Sequence, residues 1–197
     1  MRKLVLCFVL VLSFALTLKG QNNDYDFCSR SKKLETSGMY ILGGWAGANI
    51  AYGAYGWANY KGQMKYFSQM NLFWNTVNLA IASFSLYNNC NIDCNALSIG
   101  EALAQQMKTE KILLINAGLD AVYIGTGTLL RILSAKSENR QDLLMGYGNS
   151  LMLQGAFLLV FDLSLFGVLV HHRPELINNV GVTISPRMTG LYVTLKF

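Results

Sequence analysis

Two aspartates in otherwise apolar stretches are the residues of this sequence best placed to do chemistry. Asp120 is the only acidic residue of segment 112–133, and Asp162 is the only acidic residue of segment 143–170. An ionised carboxylate is costly in hydrocarbon, so each acid must be protonated, solvated by amides, reached by water or paired with a cation. Two such acids are typical of a pathway for protons or cations, or of a pocket for a small polar solute.

Amide side chains accompany the two acids at similar depths. Asn71, Asn75 and Asn78 fall on one helix face, and Asn116 precedes Asp120 by one turn. The whole candidate cluster for ligand or ion binding is Asn49, Asn71, Asn75, Asn78, Asn116, Asp120, Gln154 and Asp162. The alternative interpretation is structural, because amides join membrane helices with about 1 kcal/mol per contact and fix their register.

Four apolar segments must position these side chains. The chain is 52% hydrophobic and 14% charged, with two prolines, which is typical of a membrane protein. The predicted spans are residues 38–60, 67–87, 112–133 and 143–170. Their short connections favour antiparallel neighbours. The expected fold is therefore all-α, a transmembrane four-helix up-and-down bundle with a short C-terminal β-hairpin tail.

The two ends of the chain differ from this central domain. Residues 1–20 have the positive start and apolar core of a secretory signal, and 21–35 form a polar leader. Residues 36–170 are the transmembrane domain, and the tail 171–197 contains two predicted strands, 182–185 and 191–197. Without Arg2, Lys3 and Lys19, thirteen basic and eleven acidic residues leave a net charge of +2, which gives no reason to expect nucleic acid.

Charge and cysteine positions predict the orientation. A cleaved signal puts the mature N-terminus outside, and the basic turns 61–65 and 131–142 then face the cytoplasm. We expect a bacterial inner-membrane protein with both termini in the periplasm. There, a disulfide between Cys90 and Cys94 is the simplest pairing. A periplasmic metal site is an alternative that uses the outer cysteines and histidines; its candidate ligands are Cys28, Cys90, Cys94, His171 and His172.

Several short motifs carry a resemblance. They are Leu42-Gly-Gly-Trp-Ala46 with Asn49, Gln69-Met-Asn71, Trp74-Asn75, Val77-Asn-Leu79, Asn116-Ala-Gly-Leu-Asp120, and Gln154-Gly155 with Asp162. Across roughly residues 36–170 the chain resembles an uncharacterised family of bacterial membrane proteins, mainly from Bacteroidota, catalogued as a domain of unknown function. The resemblance implies the class of protein and no activity.

The leading functional interpretation is a structural or accessory membrane protein, not an enzyme, whose polar layer fixes the fold. The alternative is binding or transport of a proton, cation or small polar solute through Asp120 and Asp162. The third interpretation is a membrane enzyme with a periplasmic metal site. No cofactor and no metal are expected under the leading interpretation. The expected partners are the lipid bilayer and either a second copy of the chain or another membrane protein, with the tail hairpin as a contact.

Overall fold

The computed structural model describes residues 27–171 and, beyond them, the backbone of two short strands. The helices are α1 (Phe27–Asn59), α2 (Gly62–Cys90), α3 (Ile99–Ser134) and α4 (Gln141–His171), with a 3-10 turn at Glu138–Arg140. Strands β1 (Val180–Thr183) and β2 (Tyr192–Leu195) pair antiparallel. Four long helices confirm the all-α prediction for the bundle. The signal segment 1–20 and the turn of the predicted tail hairpin lie outside the described residues.

The helices are longer than the predicted spans. They contain 33, 29, 36 and 31 residues, and at 1.5 Å per residue each is about 44 Å or longer. Nine residues of the expected leader, 27–35, belong to α1, which begins at Phe27. Likewise α3 begins at Ile99, thirteen residues before the predicted span 112–133. The helices therefore extend beyond their apolar segments at one end of the bundle.

A capping box explains the early start of α3. The hydroxyl of Ser98 accepts from the backbone N–H of Glu101 at 3.3 Å, and the Glu101 carboxylate accepts from the backbone N–H of Ser98 at 2.9 Å. These reciprocal bonds satisfy two donors that the first turn of a helix leaves free. The helix that contains the apolar segment 112–133 therefore starts at this capping box.

The bundle consists of two antiparallel hairpins placed side by side. The first is α1 with α2, and the second is α3 with α4. The two hairpins meet mainly through α2 and α4. Near their starts, Gln63 and Phe67 of α2 lie beside Gly146 of α4, and further along both helices Asn71 contacts Gln154. The two helices therefore run parallel. Consecutive helices α2 and α3 are therefore not the principal neighbours in this arrangement. As a result α4 holds a central position and contacts the other three helices.

Glycine allows the closest approach between α3 and α4. A Cβ atom added to Gly127 would lie 2.6 Å from the carbonyl oxygen of Gly148, and a Cβ on Gly148 would lie 2.6 Å from that of Gly127. Small residues at such crossings let two backbones meet directly. The α1–α2 hairpin has a similar contact, where a Cβ on Gly53 would lie 2.7 Å from the carbonyl oxygen of Ser68.

Polar side chains are buried inside the bundle alongside a hydrophobic core, while many large apolar side chains are exposed. Among the described residues, the largest fully buried side chains are polar apart from Leu169, and include Gln106, Gln154, Glu110 and Asn71. Large apolar side chains are exposed along all four helices, for example Phe73 at 51% and Phe84 at 67%. Burying polar groups while exposing apolar ones is unfavourable in water.

The disulfide differs from the predicted pairing. Cys28 on α1 is bonded to Cys94 in the α2–α3 connection, with a Cα–Cα distance of 5.6 Å, and Cys90 is a free, exposed thiol. The predicted Cys90–Cys94 pair is therefore wrong. The prediction failed because the pairing depends on tertiary structure. Helix α1 begins as early as Phe27, which brings Cys28 beside the α2–α3 connection, whereas Cys90 is the last residue of α2.

Loss of this disulfide is expected to destabilise the bundle, whereas loss of the free thiol is not. The bond links positions 66 residues apart, and closing a loop of that length corresponds to about 4 kcal/mol of chain entropy. We expect Cys28→Ser or Cys94→Ser to lower the unfolding temperature of the purified protein by several degrees, measured under non-reducing conditions. Cys90→Ser is the matched control, and an equal loss in all three variants would contradict the assignment.

Candidate functional site

A continuous chain of amide side chains links three helices in the centre of the bundle. The indole N–H of Trp45 on α1 donates to Oε1 of Gln154 on α4 at 3.0 Å. Nε2 of Gln154 in turn donates to Oδ1 of Asn71 on α2. Nδ2 of Asn71 completes the link by donating to Oδ1 of Asn49 on α1 at 2.8 Å. We call these groups, with the two asparagines described next, the amide chain.

Along α2 the amide chain continues from one helical turn to the next. Nδ2 of Asn75 donates to the backbone carbonyl of Asn71 at 2.8 Å, and Nδ2 of Asn78 donates to Oδ1 of Asn75 at 3.5 Å. Asn71, Asn75 and Gln154 are fully buried. Each of the five amides has a hydrogen-bond partner, so the amide chain is well suited to fixing helix positions.

The two predicted aspartates meet where α3 packs against α4. Asp120 on α3 is 2% exposed and Asp162 on α4 is 5% exposed, and their carboxyl groups hydrogen-bond each other. Ionised carboxylates only accept hydrogen bonds, so this contact requires a proton on one of the two acids. Oδ2 of Asp120 is buried, and no donor among the described residues bonds to it. We call this contact the acid pair.

The structure thus divides the eight predicted residues into groups. Five of them belong to the amide chain and two form the acid pair. The eighth, Asn116, is half-buried one turn before Asp120 and takes no part in the described hydrogen bonds of either group. An aromatic contact lies nearby, because the ring of Trp74 on α2 packs edge-on against Tyr123 on α3 with centroids 4.6 Å apart. The indole N–H of Trp74 is buried without an acceptor among the described residues.

Comparison with known protein families matches residues 41–163 to a family of unknown function called DUF6992. The chain belongs to the DUF6992 family. All of the amide chain and both members of the acid pair lie inside the matched region. Searches among curated proteins and among solved structures find no match. The family has no assigned function, so the function of this DUF6992 protein must be argued from its site.

A second polar cluster, which the sequence reasoning missed, lies where the helices of this DUF6992 protein extend beyond their apolar segments. Gln106 and Glu110 on α3 are each 1% exposed, and Glu35 on α1 is buried beside them. Nε2 of Gln106 donates to Oε1 of Glu110 at 2.8 Å and to the backbone carbonyl of Leu169 on α4 at 2.7 Å. We call Glu35, Gln106 and Glu110 the outer cluster.

Sequence periodicity contained a signal for the outer cluster. The buried face of α3 continues backwards from Asp120 through Ala117 and Leu113 to Glu110 and Gln106, with spacings of three and four. Extending the face of Asp120 towards the start of α3 would have found both residues. At 1.5 Å per residue, Glu110 and Asp120 are about 15 Å apart along the helix. Apolar residues separate the outer cluster from the acid pair.

Burial raises the pKa of the Glu35 carboxyl above its usual value, and the nearby charge of Glu110 adds to this effect. Hydrogen bonds from the side chains of Thr109 and Asn89 act in the opposite direction without cancelling it. The charged form of Glu35 is therefore disfavoured in the folded chain.

The positions of the cysteines and histidines do not favour the alternative metal site at the end of the bundle that holds the outer cluster. Cys28 and Cys94 are joined in the disulfide, so neither offers a free thiolate. Among the described residues there is no group of three or more Cys, His, Asp or Glu side chains arranged to hold a metal ion. His172 lies outside the described residues.

Proposed function

We propose that this chain is an integral membrane protein, without enzymatic activity, in which the acid pair binds a proton at the centre of the bundle. One observation carries the proposal: two buried carboxyl groups from different helices hydrogen-bond each other. The charge that acts on Asp162 in the described part of the chain comes from Asp120, which is itself an acid. The amide chain is then the frame that keeps α1, α2 and α4 in place around the pair.

The distribution of polarity supports a membrane location. Two segments, Ile99–Ser134 and Glu138–His171, are long and apolar enough to cross a bilayer. Core helices of soluble proteins can also meet this criterion, but they are mostly buried. Here only 22% and 39% of the most apolar windows are buried inside the bundle. The exposed apolar surface that remains is suited to lipid.

Aromatic positions on α2 agree with the thickness of a bilayer. Tyr66 and Tyr87 stand near the two ends of this helix, and Tyr87 is 68% exposed. Twenty-one residues separate them, which corresponds to about 31 Å of helix, close to the roughly 30 Å of a bilayer's hydrocarbon core. Tyrosine and tryptophan are enriched where a helix leaves the hydrocarbon. The outer cluster and the disulfide would then lie outside the apolar layer.

The proposal includes the predicted orientation. Disulfides persist in oxidising compartments, so the Cys28–Cys94 bond favours a periplasmic position for its end of the bundle. The turn at residues 61–65 and the connection 131–142 lie at the opposite end and carry five basic residues, which favours the cytoplasmic side. The signal peptide, the inner membrane, a bacterial source in Bacteroidota and the tail hairpin remain predictions from the sequence.

Proton binding by the acid pair can be tested with Asp120→Asn and Asp162→Asn. The full chain is purified from membranes, and its infrared spectrum is recorded as the pH is changed. A second portion is reconstituted in liposomes that contain a pH-sensitive dye, for the measurement of proton movement. We expect the wild type to show the carbonyl band of a buried protonated carboxyl. Each Asn variant should lose that band or shift it, because an amide cannot share the proton.

Proton movement is a separate readout of the same samples. If the pair transfers protons, dissipation of an imposed pH gradient should fall at least about ten-fold in both variants, as loss of a positioned acid commonly does. Glu138→Gln, an exposed acid outside the helices' buried faces, is the control and should behave as wild type. Unchanged carboxyl spectra in both Asn variants would refute proton binding by this pair.

A structural or accessory role is the second candidate, and the amide chain favours it. All five of its amides are hydrogen-bonded, as a framework without a ligand would require. Under this alternative the Asn variants fold normally, retain wild-type membrane levels and change no proton flux. A protonated carboxyl band together with unchanged flux would assign the acid pair to structure.

A further inference from the structure

Basic side chains are concentrated at the end of the bundle opposite the disulfide. They come from the α1–α2 turn with the start of α2, and from the end of α3 with the α3–α4 connection. The described part of this end also carries two acids, Glu138 and Asp142, so five positive and two negative charges leave a net charge of +3. We call this surface the basic end; its five basic residues, all exposed, are Lys61, Lys65, Arg131, Lys136 and Arg140.

The fold brings the two connections into contact. Helix α2 begins at Gly62, and a Cβ atom added to this glycine would lie 3.1 Å from Oδ2 of Asp142 at the start of α4. Slightly further along both helices, the rings of Tyr66 and Tyr147 pack edge-on with their centroids 6.1 Å apart. The basic residues of the two connections therefore belong to one surface of the bundle.

Aromatic residues place this surface at the edge of the apolar layer. Tyr66 stands near the point where α2 leaves the hydrocarbon in the proposed membrane arrangement, and Lys65 and Lys61 lie beyond it along the chain. Tyr55 and Trp57, which are exposed, lie near the end of α1. Such amphipathic rings are enriched at the level of lipid headgroups. Long basic side chains near helix ends extend their charges to the same level.

We propose that the basic end binds the headgroups of anionic phospholipids. A negatively charged leaflet attracts nearby Lys and Arg side chains, and an Arg guanidinium matches the geometry of phosphate oxygens. A soluble polyanion would meet the same charges, but it would have no use for the aromatic rings beside them. The inference rests on the membrane location under the proposed function and is independent of proton binding by the acid pair.

This contact goes beyond the role of basic residues in orientation. Positive charges in short loops determine which way a helix inserts, and that role ends once the protein is in the membrane. Headgroup binding instead makes the stability of the mature protein depend on the charge of the lipid around it, because a ligand that binds only the folded state stabilises it.

The test is thermal unfolding of the purified full chain in a neutral detergent, with phosphatidylglycerol or phosphatidylcholine added at constant ionic strength. We expect the unfolding temperature to rise with the logarithm of phosphatidylglycerol concentration once the dissociation constant is exceeded. The rise should shrink in about 1 M NaCl, where the screening length is about 3 Å. Phosphatidylcholine has no net charge and should have a smaller effect, and inorganic phosphate, which has no acyl chains, should produce no rise.

Substitutions locate the contact. Lys61→Gln/Lys65→Gln should raise the phosphatidylglycerol concentration needed for a given stabilisation about 25-fold, because each basic residue near an anionic surface contributes about five-fold in affinity. Lys136→Gln/Arg140→Gln should act similarly from the other connection. All four side chains are exposed, so both variants are expected to fold. Lys108→Gln/Lys111→Gln is the matched control, because it removes two exposed lysines from the other half of α3.

Four results would overturn headgroup binding at the basic end. They are equal stabilisation by the two lipids, the same rise with inorganic phosphate, an unchanged phosphatidylglycerol effect in both basic-end variants, and an equal loss in the control. Alkaline carbonate extraction of membranes tests the location separately. Retention of the chain in the membrane without any phosphatidylglycerol effect would refute the headgroup contact alone. Release of the chain would refute the membrane location, and the headgroup contact with it.

Discussion

Gly127→Ala is expected to prevent normal assembly of α3 with α4, although it adds only one methyl group. The added Cβ would lie 2.6 Å from the carbonyl oxygen of Gly148 and 2.9 Å from the backbone nitrogen of Met152. Both atoms belong to the backbone of α4, so no side-chain rotation can relieve the contact. Overpacking usually costs about 1–3 kcal/mol, and the upper part of that range or more is expected here because two whole helices must separate.

Gly125→Ala is the matched control for that experiment. It makes the same chemical change two residues earlier on α3, where an added Cβ meets no atom within 4 Å. Thermal unfolding and size-exclusion profiles of the two purified variants provide the measurement. We expect Gly125→Ala to be as stable as wild type or slightly more stable, since alanine favours helix over glycine by about 1 kcal/mol. Equal behaviour of the two variants would argue against the close α3–α4 approach.

Fold class was readable from the sequence, but the helix ends were not. Four apolar segments specify four helices, because a long apolar run without prolines favours continuous helix. The third span was predicted to start at residue 112, whereas α3 begins at Ile99, where Ser98 and Glu101 have the spacing of a capping box. The side-by-side placement of α2 and α4 depends on contacts distant in sequence, such as Tyr147 with Gln69 at 3.1 Å. Loop length alone does not determine such neighbours.

The candidate site shows the same division between local and tertiary information. Helix rise is constant, so sequence counting placed Asp120 and Asp162 at one depth, and the structure brings them into contact. Counting could not separate Asn116 from the amides that form the chain, since that depends on which face meets α4. The predicted disulfide was wrong for the same reason. Proximity in sequence favoured Cys90 as the partner of Cys94, whereas the early start of α1 places Cys28 next to Cys94.

Asn71→Leu is expected to destabilise the bundle more than any other single change in the amide chain. Oδ1 of Asn71 accepts from Gln154, and its Nδ2 donates to Asn49. Leucine has a similar volume and satisfies neither partner. Each buried group left unpaired costs about 1–3 kcal/mol in a water-soluble protein. In a bilayer the corresponding bonds are worth about 0.6–1 kcal/mol, because the dissociated helices find other partners.

The size of the Asn71→Leu effect therefore reports the environment of the amide chain. A loss of about 1–2 kcal/mol in the free energy of unfolding fits two hydrogen bonds between lipid-embedded helices. A loss of about 2–6 kcal/mol, for two buried groups left unpaired, is expected in a water-soluble core. Asn59→Leu is the control, because Asn59 is exposed and its side chain bonds only to its own helix through the carbonyl of Tyr55. It should change stability by less than about 0.5 kcal/mol.

A double variant separates the lost hydrogen bond from the orphaned partner. Asn71→Leu/Gln154→Leu removes both ends of the α2–α4 link, so Gln154 is no longer left with an unpaired Nε2. Its destabilisation should be smaller than the sum of the two single variants by about 0.5–3 kcal/mol, the range of coupling between contacting residues. The remaining loss arises from Trp45 and Asn49, which each keep one unpaired group. Strict additivity would mean that Asn71 and Gln154 act independently, and the amide chain would then not couple α2 to α4.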